Sequence, residues 1–244
     1  MRTRCGCEHN PHMRMLLTSN GVHDGPVLEA LVRLLGKPLS ECRTVVIVDA
    51  MLPFPGDKTR MLERLHEYRT LGWAECDILT LLSGPPSGIE ARLRASDVIF
   101  AYGGSNHWLA HAWRVSGLAA VLPELLEEKV YVGTSAGSMI FSRLHEAAVV
   151  ALDDQDEVRM LELDSVGPAL PLFDWFFIAH LGAPYFPHAT DEWAERTAER
   201  LGGPAWFVDD GSALLVRDPE SPPQVISTGH WLHFDDDARL IDSR

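Results

Sequence analysis

Apolar and polar positions follow two rhythms along this chain. Short, nearly unbroken apolar runs occupy 13–19, 44–50, 74–81, 97–103 and 129–135. Between them lie stretches with helical spacing at 27–36, 58–72, 87–95 and 106–128. Strands alternating with amphipathic helices imply right-handed crossovers and a parallel sheet covered on both faces. Strands buried on both faces read as continuous apolar runs, as these do. From about residue 145 the rhythm changes. The segment 146–154 is followed by a strand-like run at 172–180 and a helical pattern at 190–202. Three short strand patterns follow at 205–210, 212–218 and 223–229, separated by Asp-Gly and Pro-rich turns. The expected fold is α/β: a doubly wound, mostly parallel sheet sandwiched by helices, with a short β-rich C-terminal portion. No linker or repeat divides 13–244, so one domain is expected there, preceded by a flexible extension at 1–12.

Composition narrows the classes of function. The chain has 244 residues, 46% of them hydrophobic and 23% charged, which is globular rather than disordered. With 21 basic and 35 acidic residues its formal net charge is −14. Such a surface repels phosphate, so neither nucleic acid nor an anionic membrane is expected as a partner. No apolar run approaches the ~20 residues that span a bilayer. The N-terminal text does not read as a secretory signal, and the expected location is the cytoplasm. Four cysteines are too few for a disulfide scaffold. Cys5, Cys7, His9 and His12 cluster near the start, but their spacing fits no standard zinc pattern.

The sharpest chemical signal is Gly133-Thr134-Ser135-Ala136-Gly137, at the junction of an apolar strand run and a helical pattern. That is the context of a nucleophile elbow, in which a tight turn lifts the serine hydroxyl to the C-terminal rim of the sheet. Glycines let the two arms of the turn approach, and the helix start offers free N–H groups, with Ala136 as the natural oxyanion donor. A second strand end, Gly103-Gly104-Ser105-Asn106, precedes another helix one strand unit earlier. If the two strands are neighbours, a Gly-Gly backbone there donates the second oxyanion hydrogen bond. This loop matches neither common nucleotide-binding glycine pattern.

A serine nucleophile needs a base. Most of the 11 histidines lie in helical stretches or near the termini. His180 ends the apolar run 172–180 and precedes Leu-Gly-Ala-Pro, so a buried strand can deliver it to the rim; His188 and His107 are rivals. Asp153, Asp154, Asp156 and Glu157 crowd the segment between Ser135 and His180, and one of them could orient the imidazole. Spacing does not choose among them.

These residues resemble the peptidase E family of serine peptidases, which includes cyanophycinases and bacterial aspartyl dipeptidases. The resemblance rests on AYGGSNHWLAHAWR, VGTSAGSM, a histidine ending a later strand, and FVDDGSALLV, and it spans about Met13 to Ser227. It implies a fold related to class I glutamine amidotransferases, which carry cysteine at the elbow where this chain has serine. It implies Ser135 as nucleophile, His180 as base, and Gly104 and Ala136 as oxyanion donors. The acid falls on Asp153 or Asp154, less well on Asp156, in the chain order Ser, Asp, His. Gly103, Ser105, Asn106, Trp193 and Arg196 are expected at the substrate.

Two departures stand out. The histidine sits in Ile-Ala-His-Leu rather than after Asn-Pro or Ser-Pro. Where aspartyl dipeptidases carry a basic residue early in the next helix, this chain has Trp193, with Arg196 a turn later. A tryptophan cannot neutralise a carboxylate, so strict preference for an N-terminal aspartate is not expected. The expected activity is hydrolysis of short peptides or related amides without metal or organic cofactor. The assembly is open, with a homodimer as the candidate. One alternative is an α/β-hydrolase-type esterase, in which His230 or His233 would replace His180. The other is an inactive ligand-binding member of the same fold.

Overall fold

The computed structural model describes residues 13–244, so the extension at 1–12, with Cys5, Cys7, His9 and His12, lies outside the described residues. The main sheet has seven strands: β1 (Met15–Thr18), β2 (Arg43–Ile47), β3 (Glu75–Leu79), β4 (Val98–Ala101), β5 (Val130–Thr134), β8 (Ala213–Val216) and β9 (Gln224–Ile226). Their spatial order is β3-β2-β4-β5-β1-β8-β9. The first five are parallel, and β8 and β9 add antiparallel at one edge. A second sheet of four strands contains β6 (Phe176–Ile178), β7 (Ala205–Val208), β10 (Trp231–Phe234) and β11 (Leu240–Ser243), in the order β11-β10-β7-β6. The last two were not legible as strands in the apolar pattern.

Side-chain alternation splits the core into layers. Val45, Ile47, Ile99 and Tyr131 face α3 (Pro86–Ala95), α4 (Asn106–Val115) and α5 (Leu122–Glu128), meeting Leu93, Trp113 and Leu125. Val46, Phe100 and Val132 face the other way, onto Leu31 and Leu34 of α1 (Pro26–Leu35) and Tyr68 of α2 (Thr59–Thr70). The second sheet repeats the scheme. Phe177, Trp206 and Val208 join the first layer, while Phe176, Phe207 and Leu232 pack under α7 (His145–Ala151) and α9 (Asp191–Leu201). Burying each of these large side chains contributes about 2 kcal/mol.

Local chemistry sets the element ends. The expected helix over 106–128 is two, because Gly117 turns left-handed at φ 76° and Pro123 begins a new first turn. Ser105 caps α4 by accepting the N–H of Trp108 at 2.9 Å. The segment 146–154, ambiguous in sequence, is mostly α7, and α8 (Gln155–Met160) follows. No helix among the described residues is long and apolar enough to cross a membrane.

β5 lies between β4 and β1, with Ala101 opposite Gly133 and Thr18 opposite Thr134. The turns that follow β4 and β5 therefore emerge side by side at one rim. Below the second turn, α6 (Ala136–Met139) approaches β4 so closely that a Cβ on Gly137 would overlap the carbonyl group of Ala101. The loop after β4 rests on a 3-10 turn at Asp49–Met51, where the Ser105 N–H donates to Ala50 O at 2.8 Å. Asp49 anchors that turn. It is 2% exposed, and both carboxylate oxygens accept the Leu81 N–H, at 3.1 and 2.9 Å. Burial pushes its carboxyl up to about 6, against the opposing pull of the Leu81 hydrogen bond.

Two outcomes are expected. Gly137→Ala should lower unfolding stability by about 2–3 kcal/mol in denaturant titrations, since the clash is with backbone. The second concerns pH. Between the ordinary 3.8 and about 6 the folded state holds more protons at Asp49 than the unfolded chain. Its contribution to stability is therefore greatest below 3.8 and is lost as pH rises through about 6. Asp49→Asn keeps one acceptor for Leu81 and removes the charge. It should stabilise the protein by about 2 kcal/mol at pH 8 and by almost nothing at pH 4, read from melting curves at the two pH values.

Candidate active site

Ser135 stands between β5 and α6 at φ 49° and ψ −114°, a left-handed conformation that a side chain adopts only under tertiary constraint. The constraint comes from β1. The Ser135 N–H donates to Thr18 O at 2.9 Å, the Ser138 hydroxyl donates to the same oxygen at 2.9 Å, and the Thr18 hydroxyl donates to Gly133 O at 2.7 Å.

His180 follows β6 and is itself left-handed, at φ 68°. Its Nε2 lies 2.9 Å from Ser135 Oγ. Its Nδ1 lies 2.7 Å from Asp210 Oδ1. A carboxylate only accepts, so Nδ1 carries the proton and Nε2 is left to accept from the serine hydroxyl. Asp210 lies two residues beyond β7, as His180 does beyond β6, and the two strands run parallel, which delivers both side chains to the same end of the second sheet. Ser19, just after β1, joins the sheets. It accepts the His180 N–H at 2.8 Å and donates its hydroxyl to Asp210 at 3.0 Å. Tyr185 donates its hydroxyl to the other Asp210 oxygen. Burial raises the Asp210 carboxyl, but the hydrogen bonds from His180, Tyr185 and Ser19 outweigh it and leave the group below its ordinary value. Burial and the Asp210 contact hold the Tyr185 phenol well above its ordinary range. Phe186 stacks on the imidazole at 5.1 Å between ring centroids.

The expected acids lie elsewhere. Asp153 forms an exposed ion pair with Arg200 of α9, at 2.5 Å. Asp154 accepts from His107 Nε2 at 3.2 Å. Asp156 is exposed and pairs with Arg159. None of the three reaches His180, because 153–157 folds into the turn between α7 and α8 and the start of α8 instead of running beside β6. The groups in contact with His180 are therefore Ser135 before it in the chain and Asp210 after it, an arrangement that differs from the expected Ser, Asp, His. Asp210 carries a sign in the sequence: Asp209-Asp210 ends an apolar strand run just as His180 does. Asp209 has a different task, accepting the N–H groups of Gly211 and His230 across the turn.

Gly103 lies against the serine, since a Cβ there would sit 3.2 Å from Ser135 Cβ. Gly104 is at φ 132°, where a side chain would overlap the backbone of Ala50 and Met51. Among the described residues the N–H groups of Gly104 and Ala136 have no acceptor. Ser105 is buried, and its hydroxyl donates to Glu157 at 2.5 Å. Arg196 departs from expectation: it lies on the exposed side of α9 and lines neither hollow beside Ser135. The rival histidines do not contact the serine. His107 is buried beside His145, His188 packs on Trp193, His230 pairs with Asp191 at 2.8 Å, and His233 stacks on Trp206.

Two hollows open at Ser135. The larger, about 420 Å³, carries Arg60, Glu63, Arg64 and Glu67 of α2 with Tyr102 and Tyr185. The smaller, about 250 Å³, carries Asn106, Asp154, Glu157, His188 and Trp193. Gly104, Ser135, His180 and Phe186 border both.

A search of curated proteins found no match to the chain. Among solved structures it resembles a candidate peptidase E protein from Listeria monocytogenes EGD-e, at 18% identity and TM-score 0.68, covering 89% of this chain and all of that one. It also resembles a peptidase from an acI-B1 Actinobacterium, at 15% identity and TM-score 0.62, covering 96% of this chain and 98% of that one. At these identities the likeness establishes the fold. The model of peptidase family S51 matches residues 15–221, and the chain thus belongs to that family as a serine-type peptidase.

Proposed function

We propose that the chain hydrolyses short peptides through a Ser135–His180–Asp210 triad. The observation that carries this reading is His180, whose two nitrogens meet Ser135 Oγ at 2.9 Å and Asp210 at 2.7 Å. Ser135, at a nucleophile elbow, attacks the scissile carbonyl while His180 Nε2 takes its proton. Asp210 keeps the proton on Nδ1 and stabilises the imidazolium that forms. The unpaired N–H groups of Gly104 and Ala136 receive the oxyanion, and the α6 start adds its positive potential. His180 then protonates the leaving amine, and water repeats the sequence on the acyl-enzyme. Tyr185 and Phe186 bound the space beside the histidine, which favours short substrates over folded protein. The cytoplasm, where such peptides are abundant, is the location this reading favours.

The esterase alternative draws no support from His230 and His233, whose partners are Asp191 and Trp206. The inactive alternative is disfavoured by a serine and histidine already at hydrogen-bond distance.

A fluorophosphonate probe should label the wild type and not Ser135→Ala. Equal labelling of both, or none of the wild type, would remove Ser135 as nucleophile. Asp210→Asn should lower kcat about 10³- to 10⁴-fold on any dipeptide turned over, with the fold intact. Asp153→Asn, on an exposed ion pair far from the imidazole, should stay within about twofold of wild type. Equal losses in the two variants would return the acid to the 153–157 segment.

A further inference from the structure

The smaller hollow beside Ser135 is chemically one-sided. Its carboxylates are Asp154 and Glu157, and among the described residues neither lysine nor arginine lines it. Asp154 has one partner, His107, and Glu157 has the Ser105 hydroxyl. Each carboxylate accepts at up to about four lone-pair sites, so both retain acceptor capacity. Burial holds the Glu157 carboxyl above its ordinary value, with the Ser105 hydrogen bond only partly offsetting it, as expected of an acid that lacks a counter-cation.

A second observation is independent of the acids. Asn106, the first residue of α4, also lines this hollow. It is only 5% exposed, yet among the described residues its Nδ2 has no hydrogen-bond partner. Buried side-chain donors are almost always satisfied, and this one, buried in the wall of a hollow next to a nucleophile, is a donor that a ligand oxygen would satisfy once the amide turns toward it. The walls therefore call for a group that is cationic and lies close to a carbonyl or hydroxyl oxygen.

Charge also orients the substrate. In a short peptide the free amine belongs to the acyl half and the free carboxylate to the leaving half. The acidic hollow suits the former. The larger hollow balances Arg60 and Arg64 against Glu63 and Glu67, with Arg64 paired to Glu67 at 2.6 Å, so it suits the latter chiefly through Arg60.

We infer that the Asn106–Asp154–Glu157 hollow is the acyl-side specificity pocket and that it takes a cationic residue, so that the protein favours peptides beginning with lysine or arginine over those beginning with aspartate. This deepens the proposed peptidase reading and rests on it for the direction of the substrate. The aromatic wall of His188 and Trp193 suits the aliphatic stem or planar guanidinium of such a side chain.

The test separates binding from turnover. Ser135→Ala protein is titrated calorimetrically with lysinamide, argininamide, alaninamide and aspartic acid α-amide. The two basic amides should bind at least tenfold more tightly than alaninamide, with the aspartic acid amide weakest. Glu157→Gln combined with Asp154→Asn should abolish that order. Asn106→Ala, which removes an unpaired donor, should leave the melting temperature unchanged and weaken the basic amides several-fold. Nα-acetyl-lysinamide identifies the source of the cation. Retained tight binding assigns it to the side chain. Loss on acetylation, with lysinamide equal to alaninamide, assigns it to the α-amine and overturns the basic preference. Aspartic acid amide binding as tightly as lysinamide, or an order unchanged by the double variant, overturns the pocket altogether. Because these are equilibria on a protein without the serine, failure of fluorophosphonate labelling in the wild type would count against the catalytic reading and not against the pocket.

Discussion

The left-handed backbone at Ser135 is the constraint around which the rest is arranged. A non-glycine residue in that region costs about 1–3 kcal/mol and persists only when its surroundings over-determine it. Here they do. Thr18 O receives two hydrogen bonds from the turn, the Thr18 hydroxyl grips Gly133 O, and Gly137 lies directly on the carbonyl of Ala101. β1 and β4 flank β5, so the two neighbouring strands hold the turn from both sides. A seven-strand sheet with a largely apolar centre supplies the rigidity, and the strain leaves one hydroxyl standing clear of its own backbone.

The histidine and the carboxylate come from the other sheet, and this divides the labour. The main sheet fixes the serine, while the parallel β6–β7 pair fixes His180 and Asp210 relative to each other. Ser19 connects the two halves with one hydroxyl, accepting from His180 and donating to Asp210. The imidazole is thereby held through its backbone, its Nδ1 and its stacked face at once. A ring so constrained loses little freedom when a proton arrives, which is the preorganisation that acid–base chemistry needs.

Much of this was legible in the chain. Buried parallel strands announce themselves as unbroken apolar runs, and β1, β2, β4 and β5 did so. Glycines flanking a serine at a strand–helix junction led to Ser135, and a histidine at the end of an apolar run led to His180; the fold brings the two together. Asp210 escaped because pairing between β6 and β7 is a tertiary fact. Two adjacent aspartates before a glycine look like an ordinary turn, and Asp209 indeed serves as one. The acids at 153–157 are dense, yet density does not place a carboxylate: Asp153 and Asp156 are exposed, while Asp154 and Glu157 turn toward His107 and Ser105. β11 was hidden because an edge strand exposed throughout shows no apolar signal, and β10, although buried, is a run of only four residues, Trp231–Phe234.

The short loop after His180 has a consequence of another kind. It closes on itself through backbone bonds from Gly182 to Ala189 and from Phe186 to Ala183, so its shape depends little on the rest of the molecule. Yet it carries Tyr185, which holds the Asp210 carboxylate, and Phe186, which borders both hollows. A lineage that reshapes this loop to admit a new substrate must at the same time alter the electrostatics of its acid–histidine pair. Selectivity and turnover are thus tied to the same ten or so residues, and drift in one is bound to be felt in the other.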